Sequence, residues 1–171
     1  MLHAAVILPV SLYGPAMGAY RNAGRTVYVG LNAEPPDHPA IQYYDSKTRR
    51  TGTLQYVSRS TYRSDGAPAL TFRLSSPSSP VREKPLAIGT GEARLGASLW
   101  YAPNAQHRST IVLIQGADDS TRQMGFLIPY FVAHGLNVVT YDQRSTGESV
   151  GNWRYTSPNS SRRHPCHTQG R

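Results

Sequence analysis

The chain has 171 residues, 39% of them hydrophobic and 16% charged, which is enough for one domain or two small ones and excludes a large multidomain enzyme. Eighteen Lys and Arg against ten Asp and Glu give a formal charge of +8. A mean hydropathy of −0.45 with 15 Gly and 13 Pro describes a loop-rich chain, and no run approaches the roughly 18 apolar residues that a helical membrane span requires. The single cysteine, Cys166, closes no intrachain disulfide, and the ligands of His164-Pro165-Cys166-His167 lie too close together for a metal site. Neither a metal nor a cofactor is expected. Arg154, Arg162, Arg163 and Arg171 fall within the last 18 residues, where there is no acid, so residues 154–171 read as a solvated basic tail. The body carries no groove-reading motif, and nucleic acid is not an expected partner.

Residues 1–19 open with the apolar stretch 4–12, followed by the small residues Ala16, Gly18 and Ala19. An export signal would place a basic segment before the apolar one, and only Met1, Leu2 and His3 stand there. Cytoplasmic and exported locations therefore stay equally open. Residues 20–74 read as a small antiparallel β domain. Thr26-Val27-Tyr28-Val29, Ile41-Gln42-Tyr43-Tyr44, Thr53-Leu54-Gln55-Tyr56-Val57 and Leu70-Thr71-Phe72-Arg73-Leu74 are β-branched or aromatic runs bounded by turn residues. The polar stretch 45–52, with Gly52 at its end, suits a hairpin loop. Seven tyrosines occur up to Tyr62. They are either a ligand-stacking face or, more simply, half-buried strand residues with a wet hydroxyl.

Residues 75–85 hold three prolines and almost nothing to bury, the composition of a linker. Beyond it, Leu86, Ala87 and Ile88 and then residues 95–101 form a second hairpin across the turn 89–92, ended by Pro103. Ile111-Val112-Leu113-Ile114 is the continuous apolar run of a strand covered on both faces, stopped by Gly116. Met124, Leu127, Ile128, Phe131 and Val132 recur at helical spacing, with Asp119 or Ser120 as N-cap and Gly135 as C′ residue. Pro129 is expected at the first helical position. Residues 136–141 are the next strand, so 111–141 predict a right-handed βαβ unit with parallel strands.

The loops beyond the two parallel strands read Gln115-Gly116-Ala117-Asp118-Asp119-Ser120 and Asp142-Gln143-Arg144-Ser145-Thr146-Gly147-Glu148-Ser149. Here, over residues 86–153, the chain resembles the α/β-hydrolase family, specifically its bacterial serine-esterase and serine-peptidase members. Their pattern is an H-G-x-x-x oxyanion loop, a helix, then D-x-R-G-x-G-x-S after the next strand. The resemblance implies an oxyanion-hole N–H from Ala117, with Gly116 allowing close approach. It also implies that Gln115, Asp142, Arg144, Gly147 and Ser149 brace the surrounding loops. Gln115 stands where the family usually has His, and Ser145 where it usually has Gly.

Gly147-Glu148-Ser149-Val150-Gly151 also satisfies the nucleophile-elbow pattern G-x-S-x-G. The elbow needs a strand running directly into its first glycine and a helix leaving it, and neither flank has that pattern. Ser149 is thus a loop residue and only a remote candidate nucleophile. His107 reads as a solvated side chain and His134 as a helix-end base. Family members place nucleophile, acid and His further along, so the chain reads as an N-terminal part only, truncated or frame-shifted near Arg154.

The expected class is α/β: an incomplete α/β-hydrolase sheet, a β hairpin followed by βαβ, preceded by the small antiparallel β domain. The resemblance implies ester or amide hydrolysis in an intact relative, on a small ester or amide substrate, with no complete catalytic triad and no turnover in this chain. The alternative is a noncatalytic ligand- or protein-binding module using the Tyr-rich β domain. Two parallel strands would leave an unpaired sheet edge, through which self-association is expected.

Overall fold

The computed structural model describes residues 16–22, 24–32, 40–91, 94–104, 108–114, 124–143 and 149. Strands β1 (Gly18–Asn22), β2 (Arg25–Asn32), β3 (Ala40–Asp45), β4 (Arg50–Ser58), β5 (Thr61–Ser64) and β6 (Thr71–Arg73) follow one another as an antiparallel meander. β7 (Ser79–Pro80) pairs with the other side of β1, so the sheet order is β6-β5-β4-β3-β2-β1-β7. The aromatic and β-branched run 26–29 lies inside β2, 41–44 inside β3 and 53–57 inside β4, where such side chains suit a pleated, half-buried surface.

Strand alternation sorts these residues onto two faces. Tyr20, Val27, Val29, Tyr43, Leu54, Tyr62, Phe72 and Leu74 point inward and are buried together. The sheet curls around them into half a barrel, which brings β6 back over β2 and β3. The Arg25 guanidinium lies 5.6 Å from the centre of the Phe72 ring, and the Tyr43 and Phe72 rings are 5.1 Å apart. Each fully buried side chain of this size contributes about 1.5–3 kcal/mol, so this cluster is the main source of stability in the meander.

Where the chain leaves β5, at the end of the pair away from the β4–β5 turn, Thr53 donates both its N–H, at 3.1 Å, and its hydroxyl, at 2.7 Å, to the Asp65 carboxylate. Those bonds, the hydroxyl's first, hold Asp65 below its ordinary carboxylate pKa. A depressed folded-state pKa stabilises above the unfolded value, and the contribution is lost as pH falls through the folded one. The wild type is therefore expected to exceed Asp65→Asn slightly at neutral pH, with the gap closing on acidification. Urea midpoints of both proteins between about pH 6 and pH 2 measure it. Because Asp65 is exposed, the gap is small.

The second sheet contains β8 (Arg82–Ile88), β9 (Leu95–Tyr101), β10 (Thr110–Leu113) and β11 (Asn137–Tyr141), in the order β10-β11-β9-β8. β8 and β9 are antiparallel, as are β9 and β11, whereas β10 and β11 run parallel. The stretch read as a linker contributes β7 and the start of β8. Pro85 is tolerated because β8 is an edge strand, where a missing N–H breaks no ladder. Trp100 donates its indole N–H to the fully buried Thr140 hydroxyl at 2.8 Å, tying β9 to β11.

Helix α1 (Leu127–Ala133) connects the parallel strands. It begins at Leu127 rather than at Pro129, because Pro129 still falls in the first turn, where N–H groups have no intrahelical partner to lose. Gly135 ends it at φ +89°. The Gly135 N–H donates to the Val132 carbonyl and the Leu136 N–H to that of Phe131, which is the Schellman pattern expected of a C′ glycine. Asp119 and Ser120 lie outside the described residues.

α1 lies between the two sheets. Ile128 and Val132 pack with Val138, Trp100, Ile111 and Leu113 of the small sheet. Tyr130 meets Tyr28 of the outer face of the meander edge to face, His134 stacks on the same ring, and Phe126 stacks on Tyr44. The most intimate contact is backbone on backbone: a Cβ placed on Gly30 would stand 1.9 Å from the Gly125 carbonyl oxygen.

This architecture corrects the expected class. Among the described residues one seven-residue helix accompanies eleven strands, and β10 with β11 is the one parallel pair. An α/β fold needs helices covering both faces of a mainly parallel sheet. Here the helix is shared with an antiparallel meander that supplies most of the strands. The chain is mainly β, built around a curled seven-stranded sheet, and not an incomplete α/β-hydrolase sheet.

Candidate functional site

Of the residues singled out by motif, Gln115, Gly116, Ala117, Arg144 and Gly147 lie outside the described residues, as do His107 and the stretch 164–167. Asp142 and Ser149 are described. Asp142 follows β11, is buried, and donates its N–H to the Gly96 carbonyl at 2.9 Å. The Ser149 hydroxyl accepts the Gly96 N–H at 3.0 Å and donates to the Asp142 carbonyl. Gly96 thus has both backbone groups engaged by the segment leaving β11, and the Ser149 oxygen has both its proton and an acceptor site occupied. A serine nucleophile requires a base at that proton. The described histidine, His134, places Nδ1 2.7 Å from the Tyr130 carbonyl oxygen instead, with its ring tilted against Tyr130 and stacked on Tyr28.

A second arrangement lies at the mouth of the half-barrel, where the curl leaves a cleft of about 400 Å³ between β1, β2 and β6. Tyr20, Val27, Phe72 and Leu74 form its apolar wall, and Thr71, Ser75 and Ser76 add hydroxyls. Arg21, Arg25, Lys47 and Arg73 also line it. Arg25 is held at 3.3 Å by the carboxylate of Asp45, which is fully buried and also accepts the Lys47 N–H at 3.0 Å and the Thr48 hydroxyl at 2.7 Å. That is the one ion pair among the described residues, so Arg21, Lys47 and Arg73 bring positive charge that no described carboxylate pairs. Burial pushes the Tyr20 and Tyr62 hydroxyls to higher pKa, each raised further by a neighbouring tyrosine. Phenolate formation therefore does not offset this charge near neutral pH.

The cleft is not visible along the chain because its cations come from β1, β2, a turn and β6, the first and last strands of the meander among them, and only the curl gathers them. The one local signal was the inward alternation Phe72, Leu74 flanking Arg73. Among the described residues no three His, Cys, Asp or Glu side chains gather as a metal site would. No described helix is long and apolar enough to cross a membrane. Comparison with protein-family models, curated proteins and solved structures finds no match to the chain.

Proposed function

We propose that the chain is part of a serine hydrolase of esters or amides, supplying loops beside the site while carrying no turnover of its own. Supporting this is the adjacency of β10 and β11: because they are parallel neighbours, the two motif-bearing stretches follow strand ends on the same side of the small sheet. The lack of turnover rests on the Ser149 hydroxyl, engaged by Gly96 and Asp142. Self-association belongs to the same reading. β10 is an edge of its sheet, and Val112 and Ile114 beside it are exposed. A monomer in sedimentation equilibrium at high concentration would remove that part.

Ser149→Ala is expected to leave p-nitrophenyl acetate hydrolysis at the background rate seen for the wild type, while lowering stability by about 1 kcal/mol through the two lost hydrogen bonds. Saturable hydrolysis by the wild type that vanishes in Ser149→Ala would overturn the assignment. A second reading is favoured by the cleft itself: the meander is a noncatalytic ligand-binding module, since a concave site of about 400 Å³ with an apolar wall and a few polar groups is of the size that small molecules occupy.

A further inference from the structure

The cleft combines two features that call for different parts of one ligand. Its wall is the rim of the core cluster, where Tyr20, Val27, Phe72 and Leu74, each 4–5% exposed, leave a narrow apolar strip on which a slim apolar body gains by leaving water. Lys47 and Arg73, both exposed at the rim, carry charge that no described carboxylate pairs. A fully polar anion would leave the wall unused, and a neutral apolar molecule would leave the cations unused.

Resting on the binding-module reading, we propose that the cleft takes a small amphipathic carboxylate, its chain against Phe72 and Leu74 and its carboxylate at Lys47 and Arg73. Arg25 is not the anchor, because its Nε already faces Asp45. The guanidinium over the Phe72 ring instead fixes that ring as one side of the slot. A monoanion suits the site better than a dianion, since Asp45 lies just behind Arg25.

The test titrates the full chain with octanoate, octan-1-ol and inorganic phosphate by calorimetry, with backbone amide shifts to locate binding. Octanoate is expected to bind at least tenfold tighter than either of the others, with shifts at Lys47 and 72–74. Lys47→Glu and Arg73→Glu, both exposed and so not needed for folding, should each weaken it about tenfold. Lys84→Glu, the same change of charge on β8 of the other sheet, should leave it unchanged. Equal affinity for octanoate and octan-1-ol with shifts in the cleft would overturn the carboxylate assignment and leave the binding-module reading standing. Equal weakening by Lys84→Glu would reduce the effect to net charge and overturn the assignment too. Absence of binding by every probe, or shifts confined elsewhere, would overturn both.

Discussion

Gly30→Ala is expected to destabilise the chain by about 3 kcal/mol, at the upper end of what one added methyl costs in a packed interior. The new Cβ would stand 1.9 Å from the Gly125 carbonyl oxygen, 2.3 Å from its carbonyl carbon and 2.8 Å from the Phe126 nitrogen. All three are backbone atoms, so no rotamer change relieves the contact. The segment entering α1 must lift from the sheet. Lifting it separates Tyr44 from Phe126 and Tyr28 from Tyr130, the ring pairs that join the meander to the helix. It also disturbs Gln42, whose side chain occupies the space where a Cβ on Gly125 would fall. Gly66→Ala is the control: nothing lies within 4 Å of its Cβ and its φ is not positive, so a change within about 0.5 kcal/mol is expected. Urea midpoints of the two variants against the wild type give the comparison. A Gly30→Ala midpoint equal to that of Gly66→Ala would mean that the helix does not dock as described.

That contact also marks where the sequence stopped being legible. The runs 26–29, 41–44 and 53–57 announced β2, β3 and β4 because alternation and β-branching are local properties. β1 and β5 escaped notice: Gly18–Asn22 adjoined a stretch read as an apolar leader, and Thr61–Ser64 offers one large apolar residue, Tyr62. The helix and its parallel strands were visible from periodicity and from Gly135. The expected class fails because the helical spacing shows one apolar stripe, Met124, Leu127, Ile128, Phe131 and Val132, which suits one sheet. Its second stripe, Phe126, Tyr130 and His134, is polar or aromatic and spaced by four, and it is this face that recruits the meander through Tyr28 and Tyr44. The same tyrosine pair explains much of the aromatic content of the β domain: Tyr20, Tyr43 and Tyr62 fill the curl, Tyr28 and Tyr44 seat the helix, and Tyr56 is exposed. At the cleft, charge was legible as a total but not as a place, because the register and curl of six strands decide which cations meet.

Asp45→Ala should cost about 3 kcal/mol, because a buried carboxylate with three donors is replaced by a methyl that satisfies none of them. Asp45 is the last residue of β3, fully buried, and its side chain binds in two directions. Toward the turn it accepts the Lys47 N–H and the Thr48 hydroxyl, closing the β3–β4 hairpin; toward β2 it faces Arg25. Arg25→Ala is expected to cost less, about 2 kcal/mol, since Asp45 keeps both turn donors and the arginine side chain is 27% exposed. In a double-mutant cycle the pair should couple by about 1 kcal/mol. Coupling near zero would mean that solvent screens the ion pair and that the turn bonds alone account for Asp45. Asp45→Asn removes the charge and keeps one turn bond: the amide oxygen in the Oδ1 place still accepts the Lys47 N–H. The NH2 in the Oδ2 place can donate to the Thr48 hydroxyl oxygen, so a cost of only about 1–2 kcal/mol is expected. The same variant bears on the cleft. Removing the one carboxylate that pairs Arg25 leaves an additional unneutralised cation beside the apolar wall, so octanoate should bind Asp45→Asn more tightly than the wild type. Weaker binding there would mean that the Asp45–Arg25 pair shapes the slot by holding Arg25 over Phe72, and that its charge is secondary to that geometry.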